Sequence, residues 1–243
     1  MTIRYGIIGT GMMGCEHIRN LAAMEGVDIT AIADPNEKPR DWGRNACGDR
    51  FAPEVYEDYR DLLARDDVDA VVVASPNYSH IDVMRDIFQT DKHVMLEKPM
   101  CTTITDSKEL MKSADQHPGI VWIGLEYRYM SPITATLQHL DAIGNIRMCA
   151  IREHRFPFLK KVGNWNRFNR NTGGTLVEKC CHFFDLMTQV IPSEPIRVIA
   201  SGGQDVNHLD EFYNGETPDI MDNAYVIVEF ANGARALLDL CMF

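Results

Sequence analysis

Nowhere in these 243 residues does an apolar run approach the roughly 20 residues that a membrane-crossing helix requires, so no bilayer span is expected. Cysteine pairs at metal-binding or disulfide spacing are missing as well. The seven thiols (Cys15, Cys47, Cys101, Cys149, Cys180, Cys181 and Cys241) are odd in number and include no Cys-x-x-Cys, which fits reduced cysteines in a cytoplasmic protein. Basic side chains are scarce: 24 Lys and Arg face 35 Asp and Glu, and the net charge of −11 argues against sequence-independent binding to nucleic acid or to anionic membranes. No secretory leader is expected, because the amino terminus enters a strand pattern almost at once. Neither internal repeats nor low-complexity tracts occur.

What is present fits one large or two modest domains, and 45% hydrophobic with 24% charged residues is ordinary for a chain with a sizeable core. Ile3–Ile8 is a buried-strand pattern that runs into Gly9-Thr10-Gly11-Met12-Met13-Gly14, and a helical pattern over 13–24 follows, with Ile18, Leu21 and Ala22 as apolar positions. A second strand, Val27–Ala33, ends in Asp34, twenty residues past Gly14. Gly9 permits a tight turn, Gly11 lets main chain approach a pyrophosphate, and Gly14 allows close helix–strand packing. The helix amino terminus aims its N–H groups and dipole at the phosphates. Asp34 can accept from both adenosine ribose hydroxyls and repels a 2′-phosphate, favouring NAD, while Lys38 and Arg40 leave room for NADP. A glycine-rich turn with no ligand is the competing reading, and it leaves the coincidence of strand, helix and acid unexplained.

Residues 35–50 read as irregular up to a strand over 51–56, after which Asp58 caps a short helix reaching Ala64. The β-branched run over 68–75 marks a central parallel strand. It ends in Pro76-Asn77-Tyr78-Ser79-His80 at the same sheet edge as the glycine loop, where Pro76 and Asn77 can floor a cofactor near its nicotinamide ribose. His80 is either a cofactor contact or simply the first turn of a helix that Ser79 caps. A further strand stops at Glu97-Lys98-Pro99, since proline disfavours helix at the lysine, and this puts Lys98 at the carboxyl end of a strand. In an open parallel sheet ligands bind there; the plain alternative is a solvated lysine. A helix over 104–117 and a strand over 121–125 complete a doubly wound parallel sheet, giving a dinucleotide-binding domain over 1–125.

Residues 126–243 change pattern and predict a substrate-binding and oligomerisation domain, α+β with a largely antiparallel open sheet. The expected elements are a helix over 131–142, strands over 144–155, 195–200, 225–230 and 234–240, and a helix over 175–191. Asn232-Gly233 reads as a two-residue hairpin turn. Between them lies a basic, aromatic loop with Trp165, Arg167 and Arg170. The 175–191 helix places Glu178 and His182 on one face, continued by Asp185 and Gln189, opposite Val177, Cys181, Phe184 and Met187. Such a stripe is usually solvated. A metal set with Cys180 or Cys181 is not expected, because adjacent cysteines diverge on a helix and no second cluster is available.

Taken together, Gly9–Gly14, Asp34, Ser75-Pro76-Asn77, Glu97-Lys98-Pro99 and Gly173-Gly174 through Glu178-x-x-x-His182 resemble the Gfo/Idh/MocA family of NAD(P)-dependent oxidoreductases. The resemblance implies a Rossmann domain followed by an α/β domain whose open sheet buries one face between subunits. It implies hydride exchange between nicotinamide and a secondary hydroxyl of a sugar, inositol or related polyol, with Ser75, Glu97 and Lys98 at the cofactor and Lys98 and His182 in the active site. Either Lys98 or His182 can take the hydroxyl proton: neutral His182 fits with little tuning, with Glu178 orienting it or binding a substrate hydroxyl, and Lys98 can stabilise alkoxide charge. Tyr127, Arg128, Trp165 and Arg167 are expected in the pocket wall.

Three departures stand out. Glu178 occupies a position where aspartate is frequent, and Cys180 one where glycine is. The chain also stops at Phe243 while family members run considerably further, so a truncated product or a portion of a longer protein is expected. Two rival functions remain at this stage, a non-catalytic dinucleotide-binding sensor or assembly subunit and a redox-assisted glycosidase that recycles NAD.

Overall fold

Strand and helix alternate through the first 124 residues: β1 (Ile3–Ile8), α1 (Met12–Ala22), β2 (Val27–Ala33), α2 (Glu37–Cys47), β3 (Glu54–Tyr56), α3 (Tyr59–Leu63), β4 (Ala70–Val73), α4 (His80–Ile87), β5 (His93–Glu97), α5 (Ile104–Ala114) and β6 (Val121–Gly124). These come from a computed structural model that describes residues 2–243, in which the chain divides into two compact units, one through Gly124 and one from Leu125 onward. The strands of the first unit form one parallel sheet in the order β3-β2-β1-β4-β5-β6. Strand order reverses between β1 and β4, and a crevice for a ligand opens outside the carboxyl ends at such a point.

Alternation along the strands explains why both faces are covered. Ile7, Ile32 and Val72 join Ile18 and Leu21 of α1 and Cys47 of α2 in one buried cluster. Their neighbours Ile8, Ala31, Ala33, Val71 and Val73 point the other way and pack with Leu62 of α3, Val83, Met84 and Ile87 of α4, and Leu110 of α5. All four residues of β4 are buried, as a doubly covered strand requires.

Helix α2 corrects the expectation of irregular chain over 35–50. Its two apparent breakers are both accommodated. Pro39 falls in the first turn, where a helix needs no N–H from it. Gly43 lies against the sheet, and a Cβ there would come 2.8 Å from the Thr10 methyl and 3.0 Å from Ile32 Cδ1.

The second unit contains α6 (Ser131–Gln138), β7 (Met148–His154), α7 (Asn169–Thr172), α8 (Thr175–Glu178), α9 (Cys181–Val190), β8 (Pro195–Gly203), β9 (Asn223–Phe230) and β10 (Arg235–Cys241). Its sheet runs β7-β10-β9-β8, antiparallel except that β10 lies parallel to β7. Ala224, Val226, Val228, Phe230, Ala236, Leu238 and Leu240 face Cys180, Phe183, Met187 and Ile191, so helix α9 covers one side of the sheet. On the other side Ile199, Tyr225, Ile227 and Met148 remain exposed.

Two expectations for this unit need correction. The hairpin joining β9 and β10 has a three-residue loop, because Phe230 N–H donates to Ala234 O and Gly233 N–H to Phe230 O. Only Gly233 in that loop has positive φ, +82°, the pattern of a type I turn closed by a left-handed glycine rather than a two-residue turn. The helix over 175–191 is also not continuous. Cys180 N–H reaches back five residues to Thr175 O, and the helical register shifts by one residue between α8 and α9. The shift rotates α9, so Cys180, Phe183 and Met187 form its buried face while Cys181 and Phe184 are only half-buried.

Candidate functional site

The glycine loop is shaped by what each glycine meets. Gly9 has φ +88°, and a Cβ on it would lie 2.7 Å from the main chain at Ala74 and Ser75. At Gly14 a Cβ would stand 2.0 Å from Gly9 O, so α1 is pressed directly against the turn. Nothing lies within 4 Å of a Cβ built on Gly11, which leaves the amino terminus of α1 open with no side chain capping it. Met12 and Met13 are exposed beside it. This cradle fits a pyrophosphate.

Asp34, buried at the end of β2, accepts from Thr10 N–H at 3.0 Å through Oδ2 and from Asn36 N–H at 2.9 Å through Oδ1. The carboxylate thereby ties the glycine loop to the start of α2. Arg40 donates to the main-chain oxygen of Asp34 at 2.8 Å, and the Lys38 ammonium lies 5.4 Å from the Trp42 ring. A cavity of about 440 Å³ beside this loop is lined by Gly11, Met12, Cys15, Arg19 and Trp42 among others. The residues present therefore suit a dinucleotide.

The loop after β4 is built inward. Asn77 is buried, and Ser79 Oγ reaches Ser75 Oγ at 2.8 Å and Pro76 O at 2.7 Å. His80 is corrected from cofactor contact to internal tie. It is fully buried, with Nδ1 2.9 Å from Pro99 O and Nε2 3.1 Å from Ser75 O, and burial lowers its pKa. Facing a carbonyl oxygen with each nitrogen, the ring links the loops after β4 and β5 and presents nothing to a ligand.

Strand β5 ends in Glu97, which is buried, and the half-buried Lys98 follows. Glu97 Oε2 accepts from Lys98 N–H at 3.2 Å, and Oε1 lies 2.6 Å from His17 Nε2. His17 escaped the sequence reading. Its place three residues past Gly14 on α1 was the available signal, since it lets the imidazole reach from the phosphate cradle to the end of β5.

In the second unit Glu178 and His182, expected in the active site although a polar helix stripe is usually solvated, are 3% and 2% exposed. Lys161 Nζ donates to Glu178 Oε1 at 3.3 Å and sits 4.5 Å from the Trp165 ring. The Tyr127 ring stacks flat on His182, with centroids 4.1 Å apart and planes 7° from parallel. Glu126 Oε1 lies 3.5 Å from His182 Nε2. Lys179 Nζ, unremarked in the sequence, donates to Tyr127 Oη at 2.7 Å and lies 3.1 Å from Glu153 Oε1.

Two expected wall residues are engaged elsewhere. Arg128 forms a two-pronged ion pair with Asp185, including Nε to Oδ2 at 2.6 Å. Arg167 is 2% exposed, and its Nε donates to Glu211 Oε2 at 2.8 Å. It clamps the chain around residue 211 and does not line a surface. Burial works against charge on Glu211, yet hydrogen bonds from Tyr213, His208 and Arg167 bring its pKa down to about 2. Among the described residues no group of three or more His, Cys, Asp or Glu side chains could hold a metal ion, and no helix is long and apolar enough to cross a membrane.

Two family models match the chain: the Gfo/Idh/MocA oxidoreductase family's NAD-binding Rossmann fold over residues 3–125, and that family's carboxyl-terminal alpha/beta domain over residues 139–243. The uncharacterized oxidoreductase YrbE of Bacillus subtilis is 28% identical over 239 residues, covering 96% of this chain and 65% of that protein. Inositol 2-dehydrogenase of Salmonella typhimurium is 36% identical over 135 residues, covering 53% of this chain and 38% of its own. The crystal structure of myo-inositol dehydrogenase from Lactobacillus casei, in complex with NAD(H) and myo-inositol, superposes with a TM-score of 0.78 at 23% identity, covering 99% of this chain and 68% of that one, a likeness of fold. The chain spans a little under two thirds of the length of the curated relatives that match nearly all of it.

Proposed function

The chain belongs to the Gfo/Idh/MocA oxidoreductase family, and from that membership we propose that it is an NAD-dependent dehydrogenase acting on a secondary hydroxyl of a sugar, inositol or related polyol. One observation carries the proposal: Glu97-Lys98-Pro99 closes β5 at the carboxyl edge of a sheet whose strand order is that of a dinucleotide fold. The relatives named for inositol support the substrate class.

When bound, the nicotinamide supplies a C4 that exchanges hydride with the substrate carbon. The main chain of Gly9–Gly14 and the amino terminus of α1 hold the pyrophosphate, Asp34 the adenosine ribose, and Ser75, Pro76 and Asn77 support the far end of the cofactor. Oxidation requires a base for the hydroxyl proton, and His182 takes it, imidazole being the side chain whose proton affinity lies nearest neutrality. The Lys98 ammonium, at the carboxyl end of β5, stabilises alkoxide charge as it develops. Glu178, oriented by Lys161, accepts from a neighbouring substrate hydroxyl. Tyr127 and Trp165 offer ring surface to the carbon skeleton.

The test is NADH absorbance at neutral to mildly alkaline pH across a panel of inositols, sugars and sugar acids. Turnover of at least one polyol with NAD is expected. Tight NADH binding with no turnover of any panel member contradicts the proposal and leaves a dinucleotide-binding protein.

The same reading makes the open sheet face a self-association surface. Register places Ile199, Ile227 and Leu237 side by side on it, with Tyr225 and Met148 flanking. Ile199→Glu combined with Ile227→Glu is expected to convert an oligomer to a monomer by light scattering. A wild-type monomer would remove this part of the proposal.

A further inference from the structure

Lys179 is a buried ionisable group that the proposed chemistry leaves unused. Its side chain is 8% exposed, and taking an ammonium out of water is strongly unfavourable unless charged and polar partners replace the water. Such partners are present. Nζ donates to Tyr127 Oη at 2.7 Å, lies 3.1 Å from Glu153 Oε1, and sits 5.1 and 5.4 Å from the centroids of the Tyr127 and Phe183 rings. A methionine would fill similar space without the burden of a charge, so packing alone does not account for lysine here.

The other face of the arrangement is decisive. Tyr127, whose hydroxyl Lys179 holds, lies flat on the His182 imidazole. A parallel stack fixes the tilt of a ring but leaves it free to slide in its own plane. The Lys179 bond anchors the phenol oxygen against that sliding, and Phe183 meets the Tyr127 ring edge-on at 5.7 Å from another side. The register shift at Lys179–Cys180 separates Lys179 from the regular course of the helix that carries His182.

We infer that Lys179 is a positioning residue for His182: through Tyr127 it holds the imidazole in the one plane that directs Nε2 to its proton partner. The inference rests on the reading of His182 as proton acceptor given above. Lys179 acts through Tyr127 and touches no reactant.

The test uses the full chain with isotopically labelled histidine. The His182 Cε1–H resonance is identified by its loss in His182→Gln, and the ring current of Tyr127 displaces it upfield. Lys179→Met is expected to return that resonance towards the ordinary histidine position and to lower kcat on the order of tenfold with KM changed less than about twofold, the signature of misplacement rather than lost binding. Lys179→Arg, which keeps a donor, partly restores both. Tyr127→Phe keeps the ring and deletes the tethered hydroxyl, so it shifts the same resonance in the same direction even if Lys179→Met fails to fold. An unmoved resonance in Tyr127→Phe and in any folded Lys179→Met overturns the inference, whatever the activity. A resonance that moves in a protein whose wild type turns over no polyol supports the positioning role and instead sinks the proposed function.

Discussion

The two units offer their candidate ligand groups in opposite ways. The first uses main chain: an open helix terminus, a turn that tolerates no Cβ at Gly9 or Gly14, and strand ends that fall at one sheet edge. The second uses side chains buried among one another, Glu178 on Lys161, Tyr127 on His182, and Lys179 on Tyr127 and Glu153. A main-chain site is fixed by where side chains are absent, and a side-chain site by partners distant in sequence. The first kind should therefore be lost on adding a methyl group, and the second only on deleting an atom that carries a contact.

Among changes that probe binding and stability, the largest effect is expected at Gly14. Gly14→Ala drives a Cβ to 2.0 Å from Gly9 O, and overpacking of this kind costs about 1–3 kcal/mol. If the distortion falls on the cradle, NADH affinity by calorimetry drops on the order of 10- to 100-fold. Unchanged affinity would show that the cradle does not hold the cofactor. Next, Asp34→Asn keeps an acceptor for Thr10 N–H but removes the charge that repels a 2′-phosphate, so the NADP-to-NAD affinity ratio is expected to rise about tenfold, or ~1.4 kcal/mol. A fixed ratio would assign cofactor choice to Lys38 and Arg40.

In the second unit Glu211 gives a pH test. Its pKa falls from 4.5 to about 2 on folding, so the stability it contributes is fully present above the unfolded value and is lost as pH falls from about 4.5 towards 2. Glu211→Gln should flatten that acid limb of the thermal-denaturation profile while leaving the first unit's NADH affinity unchanged. An acid limb as steep as in wild type would mean that the Arg167 clamp does not govern acid stability. The smallest effect is expected at Gly233, where φ is +82°. There Gly233→Ala should cost roughly 1 kcal/mol by urea denaturation, with catalysis intact.

This contrast also accounts for what could be read without coordinates. The glycine loop, Asp34, the all-buried β4 and the β5 terminus follow from local pattern, because glycine spacing and strand ends are local facts. Helix α2 was hidden behind Pro39 and Gly43, residues whose effect depends on falling in a first turn and against a neighbouring methyl. His80 and Arg167 looked like ligand groups by residue type, and only their backbone and Glu211 partners show them to be structural. Lys179 gave no local signal, since it matters through Tyr127 and Glu153, dozens of positions away. The break between α8 and α9 left no mark in composition, and the polar stripe of a continuous 3.6-residue period gave no sign that Glu178 and His182 are buried.

On the function proposed above, Lys98 and His182 serve one chemical step. A double-mutant cycle in kcat with Lys98→Met and His182→Gln tests it directly, each variant being confirmed to bind NADH within a few-fold of wild type. Each single change is expected to lower kcat by about 10²–10⁴-fold, and the double variant should be scarcely worse than either alone, as for groups acting on the same proton transfer. Fully multiplicative losses, or near-normal turnover in Lys98→Met, would contradict the account.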